Sequence, residues 1–223
     1  MRLLVTRPEA DAVRTAQALR AGGHEVVVAP LLRVEAIEAD FGGSFDAVLM
    51  TSANAARAVA LHPRAGEVVG LPCLTVGDRS AEAARVAGFT RVESADGALA
   101  DLVRLATQSH ATRLLYLAGE DRAGELAGRG LVVETVVVYR AVALETLPAE
   151  ITRAQLDGVL HYSRRSAATL LRLAGPAGAL NALLGLPHYC LSAEVAAPLR
   201  EAGAPRIAVA ASPSESALLT LLK

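Results

Sequence analysis

The sequence predicts an α/β protein with two similar domains, each a parallel sheet flanked by helices. Two features support this fold class. Short β-rich runs alternate with Ala/Leu/Arg-rich helical stretches almost throughout the 223 residues, and the runs are apolar on both faces. Such strands are typical of parallel sheets covered by helices. The chain also contains an internal repeat, which favours two units of about 100 residues each.

The repeat is visible in three blocks. The segment FDAVLMTSANAARA from Phe45 returns as LDGVLHYSRRSAAT from Leu156. The opening Arg2-Leu3-Leu4 matches Arg113-Leu114-Leu115, and the block that begins LP at position 71 returns at position 186. Two domains built alike are expected to face one another, so the cleft between them is the first place to look for a ligand.

The elements follow in regular order. The first half predicts strands at LLVT, EVVVAP, DAVLMT and CLTVG, with helices over about residues 9–21, 53–61 and 80–87. The second half predicts strands at RLLYLAG, TVVVYR, DGVLHYS, HYCLS and RIAVA, and a helical pattern follows each of them except TVVVYR. Gly22-Gly23, Gly88 and Gly203 stand where helices should end in a left-handed residue.

Two extended stretches interrupt the alternation. VEAIEA from Val34 and AVALETL from Ala141 could pair as a two-stranded connector between the domains. The repeat leaves the partition open. Either each half forms a domain, or the chain crosses over early and returns late.

Composition excludes several classes of protein. With 52% apolar and 20% charged residues, the chain is not expected to be disordered. With 22 basic and 23 acidic residues it has no overall field to hold nucleic acid. Cys73 and Cys190 lie in apolar runs and are predicted to be buried strand residues. The N-terminus enters a strand without a signal-peptide pattern, and no run reaches the ~18 apolar residues of a membrane span, so we expect a soluble cytoplasmic protein.

The strand-to-helix turns carry the candidate binding residues. Open parallel sheets bind ligands beyond the carboxyl ends of their strands, where helix N-termini present free N–H groups. Helix capping uses the same residue types and needs no ligand. Seven such turns converging on one cleft, together with their arginines, favour a ligand with many carboxylates. The candidates are Arg7, Thr51, Ser52, Ala53, Asn54, Gly77, Asp78, Arg79, Ser80, Gly119, Ser163, Arg164, Arg165, Ser166, Ser192 and Ala193.

Motifs for nucleotides and metals are missing. No GxGxxG follows a strand, and the run from Gly119 to Gly124 continues with Glu125 where a phosphate-binding loop needs Lys. The five histidines show no metal-ligand spacing and no Ser or Cys partner, and His161 is predicted to be packed or solvated. Tyr139 stands out, because it ends TVVVYR where the first copy has Pro30. Its phenol either donates a proton or packs against the hinge.

The series of motifs resembles the uroporphyrinogen-III synthase family. It comprises VTRP, TSANA, TVGDRSAEAA, VVVYR, HYSRRSA and SAEVAAPLREAG, and it covers essentially the whole chain in order. The resemblance implies one α/β domain from residues 1–34 plus 147–223 and a second from residues 38–142. It also implies a two-stranded β linker at residues 34–39 and 141–147, with the chain crossing over and returning.

The resemblance also implies a cofactor-free lyase. Its substrate is hydroxymethylbilane, which loses its hydroxyl to give an azafulvene and closes through a spiro intermediate with inversion of the last pyrrole. Because the substrate also closes spontaneously to the uninverted isomer, the enzyme mainly holds it in one conformation. Tyr139 matches the tyrosine proposed to assist hydroxyl departure, and Ser80 matches a position that is often Thr. Glu194 and Arg122 depart from the family pattern.

The implied partners are small molecules. The preceding pathway enzyme can hand over hydroxymethylbilane, and neither nucleic acid nor a membrane nor a metal is expected. The alternative is a two-domain binding or sensor protein that closes on a small anionic ligand. A nucleotide-dependent transferase is disfavoured by the missing phosphate loops.

Overall fold

The computed structural model describes residues 1–95, 97–121, 126 and 131–222. The strands are β1 (Arg2–Val5), β2 (Glu25–Val28), β3 (Leu32–Ala36), β4 (Ala47–Met50), β5 (Cys73–Thr75), β6 (Val92–Ser94), β7 (Arg113–Gly119), β8 (Val132–Ala143), β9 (Gly158–His161), β10 (His188–Cys190) and β11 (Ile207–Val209). The helices are α1 (Glu9–Ala21), α2 (Ala53–Ala60), α3 (Asp78–Val86), α4 (Leu99–Gln108), α5 (Ala149–Arg153), α6 (Arg164–Ala174), α7 (Leu180–Leu184), α8 (Ala193–Glu201) and α9 (Glu215–Leu219). Short 3₁₀ turns occupy Ala65–Glu67 and Thr220–Leu222.

The strands form two sheets whose repeated strands lie in the same order. One sheet runs β11-β10-β9-β1-β2, and the other runs β3-β8-β7-β4-β5-β6. Within the first sheet the pairs from β11 to β2 are parallel, and within the second the pairs from β8 to β6 are parallel. The register places Leu4 between Val27 and Val159, and Leu49 between Leu74 and Tyr116. The predicted class, parallel sheets flanked by helices, is confirmed.

Each sheet combines strands from both copies of the repeat. The first copy's opening strand β1 pairs with β9, which belongs to the second copy, and the second copy's opening strand β7 pairs with β4 of the first. The chain accordingly divides into two compact units, Met1–Arg33 with Val142–Lys223 and Val34–Ala141. We call them unit 1 and unit 2.

The two extended stretches of the sequence lie on paired strands. Ile37 N–H donates to Val138 C=O at 2.8 Å, and Leu144 N–H donates to Leu31 C=O at 3.0 Å. These partners run in opposite order, so β3 and β8 are antiparallel. β3 begins before the predicted segment 34–39. β8 runs on from TVVVYR without a helix and ends at Ala143, so residues 144–147 lie outside the strand.

Apolar strands at the centre of each sheet form the two cores. Leu3 and Leu4 in unit 1, and Leu114 and Leu115 in unit 2, are completely buried. Burying one such side chain stabilises the fold by about 1.5–3 kcal/mol. In unit 1, α6 packs against α8, and in unit 2, α2 packs against α3. The candidate turns follow the carboxyl ends of these packed strands.

The predicted cysteines and helix ends are also found. Cys73 and Cys190 are free and buried, and burial raises the pKa of each thiol to about 12. Gly88 and Gly203 follow α3 and α8 with φ of 103° and 79°, a conformation that glycine adopts without steric cost. No helix in the described part of the chain is long and apolar enough to cross a membrane.

A repeated aspartate explains one of the matches between the copies. Asp46 Oδ2 accepts hydrogen bonds from the backbone N–H groups of Thr112 and Arg113, both at 2.8 Å. In unit 1, Asp157 Oδ2 accepts from the N–H of Arg2 at 2.6 Å. These bonds hold the pKa of the Asp46 carboxyl below its usual range, with the N–H of Arg113 as the largest cause. Each aspartate fixes the start of the opening strand beside it, which comes from the other copy.

Candidate active site

Each sheet has one point where the strand order reverses direction along the chain. In unit 2 this point lies between β4 and β7, and in unit 1 it lies between β9 and β1. Ligands of open parallel sheets bind outside the carboxyl ends of the strands at such a point. In unit 2 the turn after β4 carries Thr51 and Ser52, and β7 ends at Gly119. Several of the predicted site residues therefore lie at one edge of this sheet.

Four hydroxyl side chains meet at this edge of unit 2. Ser52 is the N-cap of α2, and its Oγ accepts from the N–H of Asn54 at 3.1 Å. The Ser52 side chain also forms a hydrogen bond with the Tyr139 phenol. Thr51 Oγ1 and the Tyr116 hydroxyl share a hydrogen bond of 2.7 Å. We call Thr51, Ser52, Tyr116 and Tyr139 the hydroxyl cluster.

The position of Tyr139 depends on an irregularity in the sheet. The register between β7 and β8 shifts after Ala118, so that Gly119 pairs with Tyr139, and the N–H of Glu120 donates to the C=O of Tyr139 at 2.9 Å. A Cβ atom at residue 119 would lie 2.5 Å from Cζ and 2.7 Å from the hydroxyl oxygen of Tyr139. The phenol therefore lies across the Gly119 backbone in space that only glycine leaves open.

The environment keeps the Tyr139 phenol protonated. Burial raises its pKa above the ordinary 10.0, Tyr116 acts in the same direction, and the hydrogen bond with Ser52 acts against both. At neutral pH the hydroxyl is a hydrogen-bond donor and not a base. A protonated phenol beside a hydroxyl group and a helix N-terminus can stabilise a leaving oxygen.

The remaining predicted residues of unit 2 lie at the starts of α2 and α3. Ala53 begins α2, and Asn54 accepts from Arg57 Nη1 at 2.8 Å. Gly77 is the N-cap of α3, and its C=O accepts a hydrogen bond from the N–H of the buried Ser80 at 3.0 Å. Asp78 and Arg79 are exposed in its first turn. Arg122 lies outside the described residues.

Two of the three predicted serines of unit 1, Ser163 and Ser192, act as helix caps, and the third, Ser166, lies in the first turn of α6. Ser163 Oγ accepts from the N–H of Ser166 at 3.1 Å and donates to Ser166 Oγ at 2.9 Å. Ser192 Oγ accepts from the N–H of Val195 at 3.3 Å. Capping therefore explains these hydroxyl groups without a ligand, and their contact with substrate stays a prediction. The exposed residues of the two turns are Arg164, Arg165, Ala193 and Glu194.

Arg7 forms polar contacts with several residues of its own unit. It is only 8% exposed. Its Nη1 donates to Thr15 Oγ1 at 3.0 Å and to Glu215 Oε1 at 3.2 Å, and its Nη2 lies 3.3 Å from Asp11 Oδ2. The guanidinium carbon lies 4.1 Å from the centroid of the Tyr162 ring. Two carboxylates of unit 1 therefore neutralise Arg7.

The sequence did not point to four members of this network, which are Asp11, Thr15, Tyr162 and Glu215. The Tyr162 hydroxyl donates to Glu215 Oε1 at 3.1 Å. Burial raises the pKa of Tyr162 to about 12, and the Glu215 carboxylate adds to the shift. Tyr162 directly precedes the repeated Ser163, and Glu215 follows the Ser-rich turn after the last strand. Their positions beside these strand-to-helix turns could have marked both residues as candidates.

Two histidines form a buried pair in unit 1. His161 Nε2 and His188 Nδ1 are 2.9 Å apart, and the residues are 0% and 1% exposed. Burial, with the neighbouring His188, lowers the pKa of His161 to about 3, and burial also lowers that of His188. Both rings are therefore neutral at neutral pH, and His161 is packed. Within the described residues, no group of three or more His, Cys, Asp or Glu side chains could hold a metal ion.

Comparison with known proteins identifies similar chains. The family model described as uroporphyrinogen-III synthase HemD matches residues 13–220. No curated protein sequence matches this chain. The crystal structure of uroporphyrinogen-III synthetase from Helicobacter pylori is 16% identical, with a TM-score of 0.66 over 99% of this chain and 97% of that chain. A mutant uroporphyrinogen III synthase from Thermus thermophilus is 17% identical, with a TM-score of 0.52 over 100% and 96%. These two structures share the fold.

Proposed function

Because the chain belongs to the uroporphyrinogen-III synthase family, we propose that it is a lyase that cyclises hydroxymethylbilane to uroporphyrinogen III. Water is lost and the terminal pyrrole, ring D, is inverted, which is a step of tetrapyrrole and haem biosynthesis. The observation that carries the proposal is the family match over residues 13–220, nearly the whole chain. The two structures that share the fold are similar over almost their full length.

The first chemical step is departure of the hydroxyl group. The hydroxymethyl C–O bond breaks with its electron pair on oxygen, and the pyrrole nitrogen supplies electrons to the new exocyclic double bond. The pyrrole N–H loses its proton as the neutral azafulvene forms, so one proton is released for the one that the leaving oxygen takes up. A proton delivered to the oxygen makes the leaving group water. We assign this delivery to Tyr139, because its phenol is protonated, half-buried and hydrogen-bonded to Ser52. A phenol with a raised pKa is a weak acid, so its contribution is at or below the usual 10²–10⁴-fold of general acids.

The second requirement is to hold the azafulvene so that ring D inverts. The substrate reaches the uninverted product without help, so the enzyme selects between conformers by position. The N-termini of α2, α3, α6 and α8 offer backbone N–H groups that suit the carboxylates of the bilane. We propose that the turns which begin these helices bind substrate, and that no cofactor takes part.

The decisive experiment supplies purified protein with freshly made hydroxymethylbilane. The oxidised porphyrin products are then separated by chromatography. We expect mainly isomer III with the protein, and mainly isomer I in a control without protein or with heat-denatured protein. Formation of isomer I alone with folded protein would sink the proposal.

The same assay separates the enzyme from a binding protein. A two-domain binding or sensor protein would bind the bilane or its product without changing the isomer ratio. The family match does not favour this alternative.

Three further proposals follow from the lability of the substrate and from the fold. We propose that the enzyme that makes hydroxymethylbilane hands it over directly, since free bilane closes to the wrong isomer. We propose that the protein acts in the cytoplasm, alongside that enzyme. We also propose that units 1 and 2 are the two domains of the family and that the paired β3 and β8 serve as the linker. Mixing the two enzymes in a coupled assay tests the handover, because transfer predicts less isomer I than sequential addition gives.

A further inference from the structure

Three donors in unit 1 converge on one carboxylate oxygen. Glu215 Oε1 accepts from Arg7 Nη1 at 3.2 Å, from Thr15 Oγ1 at 2.5 Å and from the Tyr162 hydroxyl at 3.1 Å. Arg7 lies in the turn after β1, Thr15 on α1 and Tyr162 in the turn after β9. Separate elements therefore aim a guanidinium, a hydroxyl and a phenol at the same point, which is an arrangement suited to a carboxylate.

Two of the three donors, Arg7 and Thr15, are buried in unit 1. Thr15 is 0% exposed and lies on the buried face of α1. Arg7 is stacked on the Tyr162 ring, which fixes the plane of its guanidinium. Within the described structure, Arg7 Nε is buried and has no hydrogen-bond partner, so the site still has an unused donor. Burial and stacking therefore restrict the movement of these donors.

The acceptor comes from the edge of the unit. Glu215 is the first residue of the five-residue helix α9, it follows exposed residues 211–213, and its side chain is 29% exposed. Its second oxygen, Oε2, lies 3.5 Å from Nη2 of the partly exposed Arg14. A glutamate that leaves Arg7 can therefore remain beside Arg14 at the surface.

The location is the one where a ligand is expected. The donors surround the carboxyl ends of β1 and β9, the point where the strand order of this sheet reverses. The ligand of the proposed function carries several carboxylates. Exchanging one carboxylate for another leaves Arg7 neutralised, so the exchange avoids the large cost of an unpaired buried charge.

We propose that Arg7, Thr15 and Tyr162 form a carboxylate subsite for substrate and product, and that Glu215 fills it in the free protein as an internal substitute. The proposal rests on the proposed function for the identity of the ligand. When an internal group occupies a subsite, the apparent affinity for the ligand equals the intrinsic affinity multiplied by the fraction of protein whose subsite is vacant. Removing Glu215 should therefore strengthen product binding.

The test compares Glu215→Ala with Glu9→Ala. Glu9 is an exposed glutamate at the start of α1 in the same unit, so the control makes the same change in charge. The probe is uroporphyrin III, the air-stable oxidised product, titrated by fluorescence. We expect Glu215→Ala to bind uroporphyrin III about 5- to 50-fold more tightly than the wild-type protein does. Glu9→Ala should bind it with the same affinity as the wild-type protein.

A second measurement does not depend on the porphyrin. Sodium propionate should raise the melting temperature of Glu215→Ala by binding in the vacated subsite, whereas the same concentration of sodium chloride should not. The unchanged protein should show no such difference, because its subsite is occupied. If Glu215→Ala is unfolded, propionate should restore the folded protein.

A third variant separates binding from packing. Tyr162→Phe removes one donor and keeps the ring under Arg7. In the Glu215→Ala background it should weaken uroporphyrin III binding several-fold. Unchanged product affinity in Glu215→Ala together with no stabilisation by propionate would overturn the proposal and leave the network a structural ion pair. The isomer assay on the unchanged protein reports separately on the proposed function.

Discussion

Replacing Gly119 by alanine should displace the Tyr139 phenol, because the three atoms nearest to the added Cβ all belong to that side chain. The added Cβ would lie 2.5 Å from Cζ, 2.7 Å from the hydroxyl oxygen and 2.9 Å from Cε2 of Tyr139. Non-bonded carbon atoms rest about 3.5–4.0 Å apart, so the ring must move by about 1 Å. Tyr139 is half-buried, so it can move outward while β7 and β8 stay paired.

The expected cost falls mainly on turnover. A displacement of about 1 Å at a reacting group can lower the rate about 10²-fold. Overpacking costs about 1–3 kcal/mol of stability, which corresponds to roughly 2–12 °C in melting temperature for a chain of this size. We therefore expect Gly119→Ala to remain folded and to form uroporphyrinogen III about 100-fold more slowly, measured by initial rates at saturating hydroxymethylbilane.

Gly66→Ala is the matched control. A Cβ at residue 66 meets no atom within 4 Å, and neither glycine has a left-handed backbone. This variant should keep full turnover. In a Tyr139→Phe background, Gly119→Ala should cost little more, because the hydroxyl that it displaces is already absent. The reasoning would be refuted if the turnover of Gly119→Ala stayed within threefold of that of the wild-type protein. It would also be refuted if the rate losses of Gly119→Ala and Tyr139→Phe multiplied in the double variant.

Three other predictions concern single groups. Tyr139→Phe should lower turnover roughly 10- to 1000-fold with isomer III still the product, and a full rate would make Tyr139 a packing residue. Because the pKa values of His161 and His188 are lowered in the folded protein, the unfolded chain takes up protons at a higher pH than the folded chain does. The contribution of the pair to the free energy of unfolding is therefore complete above pH ~6.5 and is lost as the pH falls towards ~3. Urea unfolding across this range should show the decline, and a flat profile would contradict it. Cys73 and Cys190, each buried with a pKa of about 12, should react with a thiol reagent only after denaturation, so rapid labelling of the native protein would show that the strands open.

The fold was largely predictable because its signals are local. Apolar strands in regular alternation with helices require parallel sheets with both faces covered. The serines before α2, α6 and α8 mark helix starts, because a hydroxyl there satisfies N–H groups of the first turn. The repeat predicted two similar units. The repeat could not show whether each half of the chain forms its own sheet or whether the sheets combine strands from both halves, because both arrangements give the same periodicity.

The sequence also located Tyr139 and the turn after β4, since both lie at strand ends that the alternation identifies. It gave no reason why residue 119 is glycine. That reason is a steric one, which appears only where the register shift brings Gly119 opposite Tyr139. A clash between residues from two neighbouring strands cannot be read from one-dimensional spacing.

The fold class, the repeat, the capped turns and the similarity to a family could all be read from the amino-acid sequence, because each depends on residues close together in the chain or on motif order. The partners of Arg7 could be read only from the folded chain. Its partner Glu215 is 208 positions away, and the two meet because β1 pairs with β9 and α9 packs against the same core. A charged side chain in a turn is free or neutralised according to what folding places beside it, and that placement is a property of the packed chain.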